Sequence, residues 1–466
     1  MKSTNPLSIS AFRHLYLAQI TSLLGTGIAS VALALLAWDL AGDQAGVVLG
    51  TALALKMVAY VFISPIIGGL AHRLPRKTVL IGLDIIRAAL IACLPWVSEI
   101  WHIYALIFAI NTCAAGFTPL FQATIPDLLQ EEKIYTKALS YARLAYDLEN
   151  ILSPTLAALL LAVLSFHELF YLDSLTFIIS ASLIALTIIP KTALSDRPKP
   201  IWKNIQFGIR AYLTTPRLRA LWVLYFAVAA SGGMMIVNTV VYVQGYLQMD
   251  AQIMAMVFMA SGAGSMTAAL TVPHLRQQFA DRSIMLTGAC LLAITLSLGT
   301  QMPNLIGLSI LWFMLGFGNS LIQTPAGNLI WRSCRPSDSA AFFAANFSLS
   351  HSGWFIGYIL AGHLASHFGL TFTFGTLAAV AWMALLVAWF QFPQRDPVEL
   401  WHTHESMTHV HPHIHDQHHE HQHDSGHGHA PHSNIDHDHH HQHKPLRHKH
   451  TFVIDQHHTQ WPTKEG

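Results

Sequence analysis

Histidines crowd the C-terminal end of the chain, and histidine is the commonest metal ligand among protein side chains. Between Trp401 and His458 lie 22 of the chain's 30 histidines, in runs such as HPHIH and HDHHHQH. Imidazole suits Zn²⁺, Cu²⁺, Ni²⁺ and iron, and close spacing lets several imidazoles reach one ion. We therefore predict that this segment binds a divalent transition metal through ligands drawn from His411, His413, His415, His418, His419, His421, His423, His427, His429, His437, His439, His440, His441 and His443.

Other interpretations of this histidine-rich tail stay open. Imidazoles have an ordinary pKa near 6.5, so the tail could instead act as a polycation that forms as the pH falls. An affinity tag is disfavoured, because Asp, Gln, Pro and Gly interrupt the histidine runs throughout. Since the segment lacks hydrophobic periodicity and contains several prolines, we expect residues 393–466 to be disordered.

A second set of reactive residues lies inside long apolar runs. A charge in the bilayer costs several kcal/mol, so an ionisable residue there is a candidate for function. We expect Asp147 first, and Glu149 second, to bind either a proton or a cation, which would exchange one for the other. Arg143 precedes Asp147 by four residues and can pair with it along a helix. The further members of this predicted site are Asn150, Lys56, Asp39 and His351.

The alternative interpretation of these charges is a buried structural network. Helical geometry turns the chain by about 200° over two residues, so Asp147 and Glu149 are not expected to face the same cavity. A lone histidine such as His351 is more often a packing residue than a ligand.

The elements that must position these residues are membrane helices. Just over half of the chain is hydrophobic (53%) and only 11% is charged, whereas soluble domains carry about 25% charged residues. A membrane span needs about 20 apolar residues in a helix. Runs of this kind occur at 16–39, 46–70, 78–97, 102–124, 139–164, 169–190, 219–243, 252–273, 283–300, 304–325, 340–363 and 371–392.

We therefore predict an all-α membrane protein with twelve transmembrane helices in two six-helix halves. The predicted domains are an N-terminal half at 1–190, a cytoplasmic linker with an amphipathic helix at 191–218, a C-terminal half at 219–392 and the tail at 393–466. Lys and Arg occur in alternate loops only, which predicts that these loops and both termini are cytoplasmic. We expect a monomer in the bacterial inner membrane, without a cofactor and without nucleic acid as a partner.

The loop after the second span, GGLAHRLPRKTVL, resembles the signature loop of the major facilitator superfamily. Gly68, Arg73, Arg76 and Lys77 match the family pattern, whereas His72 and Pro75 replace the usual Asp and Gly. In the following helix Asp84 and Arg87 resemble the charge partners found after this loop in drug exporters. The resemblance implies a twelve-helix transporter whose loop forms ion pairs that latch one conformation.

The stretch YTKALSYARLAYDLENILSPTLAALLL and the tail resemble the nickel-resistance branch of that superfamily. This resemblance implies proton-coupled export of Ni²⁺, and of Co²⁺ as a second cargo, with the tail raising the ion concentration at the cytoplasmic mouth. Two alternatives remain: a multidrug or macrolide exporter of the same superfamily, and a membrane-tethered protein that stores metal. An enzyme is not expected, because the sequence contains no nucleophile and base in a catalytic arrangement.

Overall fold

The structure is a computed structural model of the chain. It describes residues 5–41, 45–70, 75–190, 201–249, 251–394, 399–404, 408–413, 437–442, 446–454 and 461. The chain divides into two compact units, Met1–Gln394 with Val453–Thr459, and Arg395–Phe452 with Gln460–Gly466. They are described separately below as the membrane unit and the tail unit.

The membrane unit is built from helices throughout its described residues. The helices are α1 (Ser10–Ala41), α2 (Ala45–Leu70), α3 (Arg76–Ala92), α4 (Ile100–Leu128), α5 (Glu132–Leu161), α6 (Phe166–Leu186), α7 (Ile201–Thr214), α8 (Pro216–Val240), α9 (Ala251–Leu275), α10 (Asp281–Gly299), α11 (Leu305–Trp331) and α12 (Ser339–Gln391). Helix α8 continues into a π-helical turn at Val241–Tyr246. We call α1–α6 the N-terminal group and α8–α12 the C-terminal group.

The predicted all-helical membrane architecture is confirmed. Among the described residues, ten helices are long and apolar enough to cross a membrane. Helix α5 is not one of the ten, and α12 counts once although it contains two predicted spans. The α7 helix lies in the predicted linker, where apolar and charged residues alternate at helical spacing.

Helix α12 is a helical hairpin joined at Gly369. A straight helix of its 53 residues would be about 80 Å long, more than twice the thickness of the hydrocarbon core. Gly369 has φ 79° and ψ 171°, a conformation that a side chain would oppose. After this turn the chain runs back along α10, where the indole nitrogen of Trp382 donates a hydrogen bond to Ser297 (3.1 Å).

The tail unit contains four short strands. They are β1 (Glu399–His404), β2 (Thr408–His413), β3 (His437–Gln442) and β4 (Leu446–Thr451). β1 pairs with β4, and β2 pairs with β3, both antiparallel. From the sequence we expect no regular structure here, because the tail has no apolar core to bury. Paired strands satisfy their backbone hydrogen bonds between themselves, so a core is not a condition for local pairing.

Candidate functional site

An aromatic cluster joins the two helix groups well inside the membrane unit. The ring of Tyr60 on α2 lies edge-on to the ring of His351 on α12, with centroids 4.9 Å apart, and 4.8 Å from the ring of Phe347. Lys56, one turn before Tyr60, places its Nζ 5.5 Å from the centroid of the Tyr60 ring. His351 donates from Nδ1 to the carbonyl of Phe347 (2.7 Å). The predicted residues Lys56 and His351 are thus brought to one place across the two groups.

Glu149 lies beside this cluster, on the face of α5 that packs against α1. A Cβ added to Gly27 would meet the Cγ atom of Glu149 at 3.3 Å. The carboxylate interacts electrostatically with Lys56 and with the buried Asp173 of α6. The hydroxyl of Thr176 in turn donates to Asp173 (3.2 Å). Glu149 therefore belongs to a charged region made by α1, α2, α5 and α6.

Asp147 faces the other way, toward the C-terminal group. It is 3% exposed, and its Oδ1 lies 3.5 Å from Nη2 of Arg143. Arg143 also donates from Nε to the hydroxyl of Ser265 on α9 (2.9 Å). The second carboxylate oxygen of Asp147 is buried, and no described residue forms a hydrogen bond with it. Asp147, Arg143 and Ser265 thus form a polar chain across the boundary between the groups.

Two members of this site, Tyr60 and Ser265, are not predicted from the sequence. Tyr60 follows Lys56 by one helical turn, a spacing that could have marked it. No sequence pattern marks Ser265, because it is 122 residues from Arg143 and contacts it only when α5 and α9 pack together.

The signature loop lies at the end of the bundle where α2 meets α3, which we call the basic end. Arg76 forms an ion pair with Asp127 at the end of α4. Its other Nη atom donates to the hydroxyl of Ser339, the first residue of α12 (3.0 Å). Gly68 packs so closely on α12 that an added Cβ would overlap the Cβ of Ala344. Arg76 and Gly68 therefore hold the two groups together at this end.

A second contact at the basic end involves Arg276, in the loop after α9. Its Nη2 lies 2.9 Å from Glu132 at the start of α5, and its Nε lies 2.6 Å from Asp281. The amide of Asn328 on α11 donates to the same Glu132 (3.1 Å). Glu132 precedes the predicted fifth span. Partial burial alone would raise its pKa, but the hydrogen bond from Asn328 and the charge of Arg276 lower the pKa below its ordinary value.

Asp84 and Arg87, for which the resemblance predicts a place in the latch, lie on α3 between α4 and α6. They pair with each other inside the N-terminal group, and the hydroxyl of Ser180 on α6 donates to Asp84 (2.7 Å). The Arg87 guanidinium lies 4.4 Å and 4.2 Å from the ring centroids of Phe117 and Phe177. Both residues thus contact α4 and α6 and join helices within the N-terminal group.

The remaining predicted residues are placed as follows. Asp39 is exposed near the end of α1, and Lys77 is partly buried at the start of α3. Asn150 belongs to α5, but its side chain lies outside the described part. His72 and Arg73 lie outside the described residues, as do His415, His418, His419, His421, His423, His427, His429 and His443. His411 and His413 lie in β2, and His437, His439, His440 and His441 lie in β3.

Metal ligands are not grouped in the part of the chain whose side chains the structure describes. There, no three or more His, Cys, Asp or Glu residues are arranged to hold an ion.

Known proteins similar to this chain are transporters. Residues 15–275 and 221–448 match the family model described as Major Facilitator Superfamily. Macrolide efflux protein A of Streptococcus pyogenes is 30% identical over 198 residues, which cover 41% of this chain and 48% of that protein. The match thus spans about half the length of that relative.

Two further similarities cover more of the chain. Multidrug efflux pump Tap of Mycolicibacterium fortuitum is 24% identical over 361 residues, 73% of this chain and 88% of that protein. The crystal structure of the human organic anion transporter MFSD10 (TETRAN) superposes with a TM-score of 0.72 at 14% identity, over 81% of this chain and 99% of that one. The latter shows a likeness of fold.

Proposed function

Because the chain belongs to the Major Facilitator Superfamily and is a multi-pass membrane transporter rather than an enzyme, we propose that it exports amphipathic organic compounds in exchange for protons. The similarity to a macrolide efflux protein and to a multidrug pump supports this substrate class. We place the protein in the bacterial inner membrane with the basic end and both termini in the cytoplasm, following the distribution of Lys and Arg among the loops.

The observation that carries the proton coupling is the buried Asp147, one of whose oxygens has no hydrogen-bond partner in the described structure. A proton on that oxygen removes the charge that holds Arg143. Arg143 is also bound to Ser265 on the opposite group, so protonation of Asp147 weakens a contact between the groups. Proton binding and the change of conformation are coupled through this one arginine.

The substrate site in this proposal is the region of Glu149 and the aromatic cluster. The rings of Tyr60 and Phe347 offer faces for apolar and cationic groups, and Glu149 offers a negative charge. A compound with an apolar body and a positive group suits both features. Lys56 interacts with the same carboxylate, so it competes with a cationic substrate and favours release.

The test is drug efflux by Asp147→Asn in a bacterial strain that lacks its own efflux pumps. Growth in a macrolide and in a cationic dye reports resistance, and everted vesicles report dye transport under an imposed pH gradient. We expect the variant to bind dye but to lose transport driven by the gradient. Glu99→Gln, which removes an exposed carboxylate before α4, is the matched control and should behave as wild type. Undiminished gradient-driven transport by Asp147→Asn refutes the coupling.

A second candidate is proton-coupled export of Ni²⁺, with Co²⁺ as a further cargo, which would confer metal resistance. The specific observation in its favour is the histidine-rich tail, whose 22 imidazoles suit these ions. Growth in graded Ni²⁺, Co²⁺, Zn²⁺ and Cu²⁺, with and without the gene, separates the two candidates. Metal tolerance without drug tolerance would show that the exported substrate is the metal ion and not an organic compound.

A further inference from the structure

The linker helix α7 is packed against the start of α12. Its alternation of apolar and charged residues would also suit a helix that lies on a membrane surface. In the structure, however, Gly208 packs on Ala341 with no room for a side chain. One turn of α12 further along, the rings of Phe207 and Phe342 lie edge to face, with centroids 6.3 Å apart. One side of α7 is therefore buried against a helix of the C-terminal group.

A hydrogen bond between side chains fixes this packing. The hydroxyl of Tyr212 on α7 donates to Oδ1 of Asn346 on α12 (2.9 Å). Tyr212 is fully buried, so its hydroxyl cannot turn to water instead, and a buried hydroxyl without a partner is costly. Tyr225 of α8, also buried, shares a side-chain hydrogen bond with the same Asn346. The amide is thus held by the linker and by α8 together.

Asn346 is the neighbour of a residue in the aromatic cluster. The next residue, Phe347, places its ring 4.8 Å from the ring of Tyr60, and its carbonyl accepts the hydrogen bond from His351 (2.7 Å). Adjacent residues of a helix point about 100° apart, so Asn346 is turned to α7 and α8 while Phe347 is turned to α2. A rotation or shift of α12 at Asn346 therefore also moves Phe347 and His351.

The short joint between α7 and α8 ties the linker helix to the C-terminal group. Helix α7 ends at Thr214 and α8 begins at Pro216, so Thr215 alone separates them. The backbone N–H of Thr215 donates to the carbonyl of Ala211 (3.1 Å), and that of Leu218 donates to the carbonyl of Thr215 (3.1 Å). Helix α7 also packs on α2 of the N-terminal group. The joint makes the C-terminal group its lasting partner, because α7 cannot leave the start of α8.

We propose that α7 moves as part of the C-terminal group and that Tyr212 is a positioning residue for the α12 side of the substrate site. Tyr212 acts through Asn346, which fixes where Phe347 and His351 lie when α2 moves away with Tyr60. This role rests on the proposed export of organic compounds. It gives the linker a part in substrate affinity, beyond its covalent connection of the two groups.

The experiment measures dye transport by variants of this hydrogen bond. Tyr212→Phe removes the hydroxyl and keeps the ring, Asn346→Leu removes the amide, and a third variant carries both changes. Tyr171→Phe is the matched control, because it removes the hydroxyl of an exposed tyrosine on α6. Everted vesicles under an imposed pH gradient provide KM and the maximal rate for a cationic dye, and thermal unfolding in detergent provides stability.

We expect Tyr212→Phe to raise KM about fivefold, equivalent to about 1 kcal/mol, with the maximal rate within about twofold of wild type. The double variant should match Asn346→Leu, since the two changes break the same hydrogen bond. Tyr171→Phe should behave as wild type. An unchanged KM with a lowered unfolding temperature would show that Tyr212 only stabilises the fold and would overturn the proposal. Additive effects of the two changes would overturn it as well, because Tyr212 would then not act through Asn346.

Cross-linking tests which group the linker helix follows. In a protein whose four native cysteines are replaced by alanine, Phe207→Cys with Phe342→Cys joins α7 to α12. Ser64→Cys with Ala344→Cys joins α2 to α12, where the Ser64 hydroxyl donates to the Ala344 carbonyl (3.1 Å). Each pair is bridged by a short, reducible bifunctional thiol reagent, and dye efflux is measured before bridging, after bridging and after reduction.

We expect bridging to leave efflux unchanged for the α7 pair and to abolish it reversibly for the α2 pair. Loss of efflux on bridging the α7 pair would show that α7 must part from α12 and would overturn the proposal. Continued efflux with the α2 pair bridged would also overturn it, because α2 would then not move away from α12. A wild-type protein that exports no dye would instead refute the proposed function, so the two failures are distinct.

Discussion

Gly68 on α2 and Ala344 on α12 are in contact across the two helix groups, with no room for a side chain on the glycine. Small residues let helix backbones approach this closely in membranes. On the same stretch of α12, Gly208 of the linker helix α7 packs on Ala341, where an added Cβ would lie 2.6 Å from the carbonyl oxygen. Two glycines from different elements thus pack closely on the start of α12.

The first prediction concerns this contact. Gly68→Ala should oppose closure of the basic end by about 1–3 kcal/mol, the usual effect of an overpacked contact, and so reduce transport. Gly50→Ala is the matched control on the same helix, because an added Cβ at Gly50 would meet no atom within 4 Å. Both variants are assayed for drug efflux at equal membrane expression. Equal efflux by the two variants would show that the Gly68 contact does not limit the transport cycle.

The second prediction distinguishes two ion pairs, Asp84 with Arg87 on one helix and Arg76 with Asp127 between two helices. Asp84→Asn leaves Arg87 buried without its partner within one helix group, which should cost about 3–5 kcal/mol of stability. Asp127→Asn removes the ion-pair partner of Arg76, whose other nitrogen binds Ser339 of the C-terminal group, and should reduce transport more than thermal stability. Thermal unfolding in detergent and efflux are measured for both. The assignment of Asp84 to the fold fails if its variant unfolds like wild type but does not transport.

The third prediction concerns pH. The pKa of Glu132 is lowered in the closed contact, so the contact is stabilised at pH values above the ordinary glutamate pKa and is lost only as the pH falls through the lowered value. Between about pH 5.5 and 7.5 the carboxylate stays ionised, since an ordinary glutamate has a pKa near 4.3. Glu132→Gln should therefore reduce efflux without changing its pH profile in that range, whereas Asp147→Asn should flatten the profile. A flattened profile for Glu132→Gln would contradict this assignment.

The fourth prediction tests the competition between Lys56 and a cationic substrate. Removing the ammonium group with Lys56→Met should lower the KM for a cationic dye by about fivefold, equivalent to about 1 kcal/mol. Lys133→Met, which removes an exposed charge at the start of α5, serves as the control. Transport kinetics in vesicles provide KM. An unchanged or higher KM for Lys56→Met would place the substrate's charge away from Glu149.

The helices could be predicted from sequence because a backbone in lipid must satisfy its own hydrogen bonds, which few structures other than helices can do. Each predicted span falls on a helix of the structure, and this includes the span predicted on α5. The partners of the charges could not be predicted in the same way. The i,i+4 spacing predicted that Arg143 can pair with Asp147, but Ser265 is reached only through packing. The signature loop suggested a latch, yet Arg76 uses Asp127, from another helix, and not Asp84. Local spacing finds neighbours on one helix, whereas contacts between helices depend on the tertiary arrangement.

The turn at Gly369 joins the two membrane crossings of α12 directly, without a connecting loop. The first crossing begins at Ser339, which is bound by Arg76, and the second ends near Phe392, whose carbonyl accepts a hydrogen bond from Arg282 (3.1 Å). Because no flexible loop separates the two crossings, we expect a tilt of one crossing to move the other. We therefore expect that opening at Arg76 moves both crossings of α12, together with α10, to which Arg282 connects the second crossing.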